Sequence, residues 1–254
     1  MYKKKSRLEV ICERIATHGK VFVSDLALYF EVTPETIRKD LETLEEDKKV
    51  TRIHGGAVKY NYLNKEQSYT NKWEKQAQVK ERLAMRAAQF INNAEIIVLD
   101  GGTTIGRIPK YLNHLSNCTF VTNSFMTVME LNKAVEEQRI EAEIIMLPGI
   151  SNTEQDVVRG SLTNQVLQQF KFDKAFLSCG AFDTSQIYEY DLEEALVSNM
   201  MLQKSSETFL VADSTKRDNN ASFVINDFKA IDYMITDYAK PDHVEFDNNH
   251  WLQV

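Results

Sequence analysis

Residues 79–237 alternate short apolar runs with stretches of helical periodicity, and this alternation restricts the possible folds more than any other feature of the sequence. Short continuous apolar runs are typical of strands buried on both faces of a parallel sheet. The runs lie at residues 95–99, 119–121, 143–147, 175–178, 208–212 and 233–236. Because helical repeats connect consecutive runs, the order predicts an α/β fold, with an open, mostly parallel sheet and helices on both of its faces.

The first sixty residues follow a different pattern, with three apolar faces at helical spacing. The faces are Leu8, Ile11, Cys12 and Ile15; Leu26, Tyr29 and Phe30; and Ile37, Leu41 and Leu44. Ser24 and Thr33 stand at the expected N-caps of the second and third helices. Pro34 occupies the first position of the third helix, where its missing N–H is not needed. Two short helices joined by a tight turn suit a helix-turn-helix.

Polar residues beside the third apolar face are candidates for DNA contact, because the N-terminal part of the second helix of a helix-turn-helix enters the major groove. Residues 50–53 then alternate like a strand, and a glycine turn leads into Ala57 and Val58, which predicts a β-wing. Together with the two caps, the predicted DNA-binding residues are Ser24, Thr33, Glu35, Thr36, Arg38, Lys39, Arg52, His54, Gly55 and Gly56. On periodicity alone, a three-helix subdomain with a solvated charged face is an equal alternative.

Charge and cysteine content favour a cytoplasmic protein. Residues 1–60 hold 12 Lys and Arg against 10 Asp and Glu, while the rest of the chain holds 18 against 27. A basic N-terminal segment in an otherwise acidic chain is a weak indication of an anionic partner. Three widely spaced cysteines argue against a disulfide framework and a structural zinc site. Since no apolar run approaches the ~20 residues of a membrane-spanning helix, we expect no membrane contact.

Small hydrogen-bonding residues follow several predicted strands, at the sheet edge where α/β proteins bind ligands. Asp100, Gly101, Gly102, Thr103 and Thr104 follow the first run, Thr122, Asn123 and Ser124 follow the second, and Gly160, Glu193 and Lys216 lie in later loops. Each loop alone also suits ordinary helix capping. Together, glycine amides, hydroxyls and helix N-termini predict a pocket for a phosphate and for hydroxyl groups. The absence of GxxxxGK[ST] and GxGxxG runs disfavours nucleoside triphosphates and dinucleotides, and no cofactor is predicted.

These motifs resemble the DeoR family of bacterial transcriptional regulators over most of the chain. VSDLALYFEVTPETIRKDLETLEE, followed by TRIHGGAV, is similar to the family's winged helix-turn-helix domain. VLDGGTT, VTNS, VRGSL, FDKAFLSCGAFD, DLEEA, VADSTK and YMITD resemble its sensor domain, in the family's order. The resemblance implies a sensor fold similar to ribose-5-phosphate isomerase and CoA-transferases. It also implies a sugar-phosphate pocket formed by Asp100, Gly101, Gly102, Thr103, Thr104, Asn123, Ser124, Gly160, Glu193 and Lys216.

The chain departs from the family pattern near this pocket. Tyr188 and Glu189 stand where the family commonly has two small hydroxyl residues, and Ala181 stands where a glycine is usual. Arg217 and Asp218 take the place of an aromatic–glycine pair. These changes crowd and charge the rim, so they bear on the identity of the ligand more than on the fold.

The expected organisation is a winged helix-turn-helix domain at residues 4–59, a linker at 60–78, a sensor domain at 79–237 and a tail at 238–254. The resemblance implies a non-enzymatic regulator, most often a repressor, that binds double-stranded operator DNA and responds to a phosphorylated sugar. We expect a homo-oligomer. The alternative is a sugar-phosphate isomerase or deaminase with a fused helical domain, in which Glu193 would act as base and Lys216 would stabilise charge.

Overall fold

The computed structural model describes residues 6–18, 20–47, 49–53, 55–59, 66–217, 219–241 and 244–254. The chain divides into two compact units, Met1–Lys65 and Glu66–Val254. His54, one of the predicted wing residues, and positions 60–65 of the expected linker lie outside the described residues.

The first unit combines three helices with a small antiparallel sheet. Its elements are α1 (Arg7–His18), β1 (Lys20–Phe22), α2 (Val23–Phe30), α3 (Pro34–Glu46), β2 (Val50–Ile53) and β3 (Gly56–Lys59). The strands are ordered β1-β3-β2, and β2 and β3 form the wing hairpin. Thr33 caps α3 by accepting a hydrogen bond from the amide of Thr36, as predicted. Because the predicted face of Ile37, Leu41 and Leu44 is buried in the core, the winged helix-turn-helix is confirmed.

The start of α2 differs from the prediction. Ser24 is not its N-cap, because the helix begins at Val23 directly after the unpredicted strand β1, and Phe22 holds the cap position without a side-chain bond. The hydroxyl of Ser24 instead donates to Asp25 Oδ1 at 3.0 Å. Tyr29 is 53% exposed rather than buried, and the guanidinium of Arg14 lies over its ring.

The second unit is built on a seven-stranded parallel sheet. Its strands are β4 (Ile96–Leu99), β5 (Leu115–Thr122), β6 (Ile140–Met146), β9 (Phe172–Leu177), β12 (Ser205–Val211), β14 (Tyr233–Thr236) and β15 (Trp251–Gln253), in the lateral order β15-β14-β12-β9-β4-β5-β6. Smaller antiparallel sheets are formed by β7 (Ile150–Asn152) with β8 (Val157–Arg159), and by β10 (Ala181–Phe182), β11 (Gln186–Glu189) and β13 (Phe223–Asp227). The predicted open parallel sheet is confirmed.

Helices cover both faces of this sheet. They are α4 (Tyr69–Glu74), α5 (Ala77–Ala88), α6 (Phe125–Glu136), α7 (Ser161–Leu167) and α8 (Leu192–Gln203). Alternate strand residues enter two separate cores, since Ile97 and Leu99 pack with α5 and α6 while Val98 packs with α7 and α8. Within the described ranges, no helix is long and apolar enough to cross a membrane.

Two segments have more structure than the sequence predicts. Residues 66–78 of the expected linker belong to the second unit, where the amide of Tyr69 donates to the carbonyl of Glu154 at 2.8 Å. The guanidinium of Arg107 lies 3.7 Å from the ring centre of Trp73, so α4 also packs against the residues after β4. The expected tail supplies β15, which pairs with β14 and completes one edge of the sheet.

The close approach of β1 to β3 makes a prediction for Gly56. A Cβ on Gly56 would lie 2.0 Å from the carbonyl oxygen of Val21, so Gly56→Ala must push the two strands apart. We expect a loss of ~1–3 kcal/mol in the free energy of unfolding, measured by thermal or urea unfolding of the full chain. Gly55→Asn is the matched control, because that position has open space and a positive φ that Asn tolerates. Equal stability of Gly56→Ala and the wild type would show that β1 and β3 do not pack this closely.

Candidate functional site

The predicted pocket residues gather around the carboxyl end of β4. This strand lies between β5 and β9, and the chain fills the sheet outward from β4 in both directions. Such a switch of strand order opens a crevice beyond the strand ends, which is where ligands bind in open α/β sheets. The loops after β4 and β5 therefore lie side by side, and the loop after β9 begins on the other side of β4.

Asp100 directly follows β4 at this end of the sheet and is buried, with 5% of the residue exposed. Its Oδ1 accepts from the amide of Gly101 at 2.7 Å, and its Oδ2 accepts from the hydroxyl of Ser198 at 2.9 Å and from the amide of Ser178. Burial is the main cause that raises the pKa of Asp100 to about 7, against the opposing effect of these hydrogen bonds. Asp100 thus joins β4, the end of β9 and α8 through one carboxyl group.

The loop after Asp100 presents hydrogen-bond donors that have no acceptor. Among the described residues, nothing accepts from the amides of Gly102, Thr103 and Thr104, and the two threonine hydroxyls have no partner. Gly101 is packed so that a Cβ would lie 2.4 Å from a methyl group of Val157, and Gly102 has a φ of +126°. A set of free amides and hydroxyls of this kind suits an anion.

The helix that follows this loop is weaker than the sequence predicts. Residues Ile105–Tyr111 form a short 3₁₀-helix in place of an α-helix. Because such a helix is short and has poorer hydrogen-bond geometry, it contributes little dipole. The loop amides and hydroxyls themselves would have to hold a negative charge here.

In the loop after β5, only Asn123 has a free polar atom. Thr122 Oγ1 accepts from the amide of Ser124 at 3.1 Å, and Ser124 Oγ caps α6 by accepting from the amide of Thr127. Asn123 is 2% exposed, and its Oδ1 has no hydrogen-bond partner among the described residues. A buried carbonyl oxygen left without a donor costs ~1–3 kcal/mol. Thr122 and Ser124 thus serve the backbone, while Asn123 is the residue of this loop that a ligand hydroxyl would satisfy.

Gly160 and Glu193 lie side by side at the rim, since a Cβ on Gly160 would be 3.9 Å from Glu193 Oε2. The Glu193 side chain is exposed, whereas its neighbour Glu194 is turned inward and accepts from Asn152 Nδ2 at 2.6 Å. Burial, followed by the charge of Glu66, raises the pKa of Glu194 to about 7. Glu194 therefore has the environment of a pocket residue more than Glu193 does.

The cations of the site come from two distant parts of the chain. Lys216 follows β12 and is half-buried, and its charge acts on Glu189. Lys80 of α5, which the sequence analysis missed, is 4% exposed. Its charge interacts with those of Lys216 and Asp213, and burial lowers the pKa of Lys80 to about 8. Among the described residues, no carboxylate lies within ion-pairing distance of either lysine.

The helical pattern of α5 could have identified Lys80 as a buried residue. It shares a helix face with Leu83, Ala84 and Ala87, all of which are buried, so a lysine interrupts an otherwise apolar stripe. Lysine is almost never fully buried without a partner. Lys72 is a second relevant residue that the sequence did not predict. Its carbonyl oxygen accepts from Lys80 Nζ, and its ammonium group pairs with Glu66.

The predicted DNA-binding residues of α3 are accessible, and so are Arg52 and Gly55 of the wing, whereas Gly56 is buried against β1 and is therefore not placed to contact DNA. Glu35, Arg38 and Lys39 are exposed on α3, and Thr36 is half-buried beside them. Arg38 forms an ion pair with Glu35 at 2.9 Å, with 54% and 68% of the two side chains exposed. Arg52 is exposed on β2, next to the turn that contains Gly55. The described residues thus place an open, partly cationic face on the first half of α3 and on the wing.

Comparison with known proteins identifies both units. The DeoR-like helix-turn-helix domain matches residues 7–62, and the DeoR C terminal sensor domain matches residues 75–238. An HTH-type transcriptional regulator of Staphylococcus epidermidis is 62% identical to this chain, over 100% of both proteins. The lactose phosphotransferase system repressor of the same species is 29% identical, over 92% of each. A solved structure of ribose 5-phosphate isomerase from Plasmodium falciparum aligns with 56% of this chain and 54% of its own, at 12% identity and a TM-score of 0.39.

The fold and these matches define a DNA-binding transcriptional regulator. The chain belongs to the DeoR family, as the sequence motifs indicated. The expectation of a regulator, and not of an isomerase or a deaminase, is thereby confirmed.

The buried carboxyl of Asp100 makes a prediction about stability and pH. Because its pKa is raised to about 7 in the folded protein, ionisation of Asp100 lowers stability progressively from its unfolded pKa, ~3.9, up to pH 7. Asp100→Asn removes this cost, so its stability relative to wild type should be higher at pH 8 than at pH 5, by on the order of 2 kcal/mol. Urea unfolding at the two pH values measures the difference. Asp227→Asn on exposed β13 is the control, and an equal shift for both variants would contradict the assignment.

Proposed function

We propose that this protein represses a carbohydrate-metabolism operon and that a phosphorylated sugar modulates its operator binding. The main support is a set of donors in the loop that follows Asp100, namely three amides and two hydroxyls, for which the described part of the chain offers no acceptor. A phosphate has the charge and the number of acceptor oxygens to satisfy such a set. The relative named as a lactose phosphotransferase system repressor supports a carbohydrate system.

The remaining pocket groups suit the rest of a sugar phosphate. Lys80 and Lys216 supply positive charge and have no carboxylate partner among the described residues, so they would balance the phosphate. Asn123 Oδ1 and the carboxyl group of Glu194 would accept from sugar hydroxyls. In this proposal Asp100, Gly101 and Gly102 shape the phosphate loop, Thr122, Ser124 and Gly160 hold its neighbours in place, and Glu193 lies at the entrance.

DNA recognition would follow the geometry of the first unit. The N-terminal half of α3 would enter the major groove, with Arg38, Lys39 and Thr36 toward the bases and Arg52 toward the backbone. A homo-oligomer would place two such helices on two operator half-sites. Effector binding then changes operator affinity only if the effector binds the DNA-bound and free conformations unequally.

Replacing the loop hydroxyls tests the effector site. Thr103→Val and Thr104→Val keep the side-chain shape and remove one donor each, so they disturb the fold less than changes at the tightly packed Gly101 or Gly102. A thermal-shift screen of phosphorylated sugars on wild type first identifies a binder. We expect each variant to bind that sugar at least tenfold more weakly, by isothermal titration, while operator affinity without the sugar stays unchanged. Thr153→Val, on an exposed turn, is the matched control.

Two outcomes would contradict the site. Unchanged affinity in both threonine variants would place the phosphate elsewhere. Failure of every phosphorylated sugar to bind wild type would reject the effector class, whatever the variants do.

Replacing Arg38 tests base readout by α3. Its guanidinium can donate two hydrogen bonds to a guanine once its ion pair with Glu35 breaks. Both side chains are exposed enough to separate. Arg38→Ala should weaken binding to the promoter fragment upstream of the gene by ~1–3 kcal/mol, measured by fluorescence anisotropy at fixed salt. Arg82→Ala, an exposed arginine of the second unit, should bind like wild type. An Arg38 variant with wild-type affinity would remove this residue from the readout.

A further inference from the structure

The first residues of the second unit pack beside the loop after β4. Residues 66–74, called the entry segment below, lead into and include α4. In the turn between β7 and β8, Gln155 Nε2 donates to the carbonyl of Gln67 at 3.2 Å. Two positions further on, Val157 lies so close to Gly101 that a Cβ there would be 2.4 Å from one of its methyl groups. One turn therefore touches both the entry segment and the loop to which we assign the phosphate.

A buried arginine joins these two parts of the chain directly. Arg107 is 2% exposed, and it donates to the carbonyl of Trp73 at 2.7 Å while its guanidinium lies over the ring of that residue. The same guanidinium donates to the carbonyl of Thr103, whose amide and hydroxyl are two of the donors proposed for the phosphate. Because the N–H donors of arginine form a rigid fork, this contact fixes the entry segment relative to the phosphate loop.

Within the entry segment, Glu66 and Lys72 form an ion pair that is mostly buried, with 12% and 17% of the two side chains exposed. The charge of Glu66 reaches the pocket, since burial and then this charge raise the pKa values of Glu189 and Glu194 to about 7. On the cationic side, the carbonyl oxygen of Lys72 accepts from Lys80 Nζ. The ion pair thus lies within electrostatic reach of both the carboxyl groups and the lysines of the pocket.

The surroundings of Glu66 oppose its negative charge apart from the contact with Lys72. Glu189 and Glu194 are carboxyl groups, and like charges repel more strongly where water is excluded. A phosphate on the loop after β4 would add a further negative charge to this region. It would attract Lys72 and repel Glu66, so Glu66 is the side chain that an incoming anion displaces most readily.

We propose that Glu66 holds Lys72 in the effector-free protein and that the phosphate of the effector displaces it, which makes Lys72 a phosphate-binding residue. The inference rests on the proposed function, from which it takes the phosphorylated effector. It adds to that function an internal competitor for the phosphate, in a part of the chain that the sequence analysis assigned to a linker.

Displacement of Glu66 would also act on the chain that leads to the DNA-binding unit. Only positions 60–65 separate Glu66 from β3 of the wing hairpin. Breaking the ion pair therefore releases the end of the second unit that continues into the wing. Effector binding and operator binding would be coupled through this pair, because the effector binds only the conformation in which the pair is broken.

Isothermal titration of inorganic phosphate into the full chain tests the competition. Glu66→Gln keeps the size of the side chain and removes the competing charge, so it should bind phosphate roughly threefold or more tightly than wild type. Lys72→Gln removes the cation that the phosphate would reach, so it should bind roughly tenfold or more weakly. Glu74→Gln and Lys75→Gln, at exposed positions just beyond Lys72, are the matched controls and should bind like wild type.

The opposite directions of the two effects separate competition from a structural role. If the ion pair only held the entry segment in place, breaking it from either side would disturb the pocket, and both variants would lose phosphate affinity. That result would overturn the inference, and so would wild-type affinity in Glu66→Gln. Absence of phosphate binding by wild type and Glu66→Gln alike would also overturn it. Thermal unfolding without phosphate checks that every variant is folded.

Binding to the promoter fragment separates this inference from the proposed function. With a phosphorylated sugar that binds wild type, the ratio of promoter dissociation constants with and without the sugar should fall toward one in Glu66→Gln, because no pair has to break. An unchanged ratio would overturn the route through Glu66 and leave the proposed function intact. Conversely, phosphate titrations that follow the expectation, while no phosphorylated sugar changes promoter binding by wild type, would support the competition and reject the proposed effector.

Discussion

The burial of Asp100 is the interaction on which the rest of the second unit depends. A carboxyl group removed from water must be hydrogen-bonded, and Asp100 obtains its donors from Gly101 in its own loop, Ser178 after β9 and Ser198 on α8. These three donors fix the turn of the glycine loop, the position of the neighbouring strand end and the rotation of α8. The hydroxyl of Ser178 in turn donates to the carbonyl oxygen of Gly101 at 2.6 Å, so the loop is held from both directions. A loop fixed in this way keeps its own amides free for a ligand.

Periodicity predicted the larger elements because it reports burial directly. Val98 and Ile97 are both fully buried, in different cores, and a strand buried on both faces must be apolar throughout. The strands that the sequence did not predict are those that form only by pairing with a partner far along the chain. Lys20–Phe22 forms β1 only because Gly56 allows β3 to approach, and Trp251–Gln253 forms β15 only by pairing with β14. Segments of three residues carry too little pattern to reveal such pairing.

For the pocket, the sequence predicted the loops but not the state of each polar atom in them. Thr122, Asn123 and Ser124 look equivalent in the sequence. Once the α6 cap has formed, however, Asn123 is the one of the three whose side-chain oxygen has no partner among the residues that the structure describes. The choice between Glu193 and Glu194 depends on how α8 is rotated, because successive residues of a helix point ~100° apart. Lys80 lies twenty residues before the first glycine loop, so its approach to Lys216 requires the folded sheet. Adjacent motifs predict where a site lies, and tertiary packing decides which atoms remain free.

The departures at the rim bear on which sugar phosphate the pocket would take. Glu189 is 7% exposed, and burial and the charge of Glu66 raise its pKa to about 7. Its Oε1 occupies space beside Gly180, where a Cβ would lie 2.8 Å away, so the glycine and the glutamate fit each other. Glu189, Glu194 and Asp100 together exchange protons near neutral pH, while their negative forms oppose a phosphate. Since anion binding favours the protonated carboxyls, a phosphorylated effector would bind with proton uptake, and its affinity would fall as pH rises from 7 to 9, where Lys80 also loses its charge. Asp100, Glu194 and Lys80 would impose this dependence in any case, and Glu189, which stands in place of a small hydroxyl residue, adds a third carboxyl group to it. This extra carboxyl group favours an effector whose hydroxyls face carboxyl groups rather than one with a second anionic group.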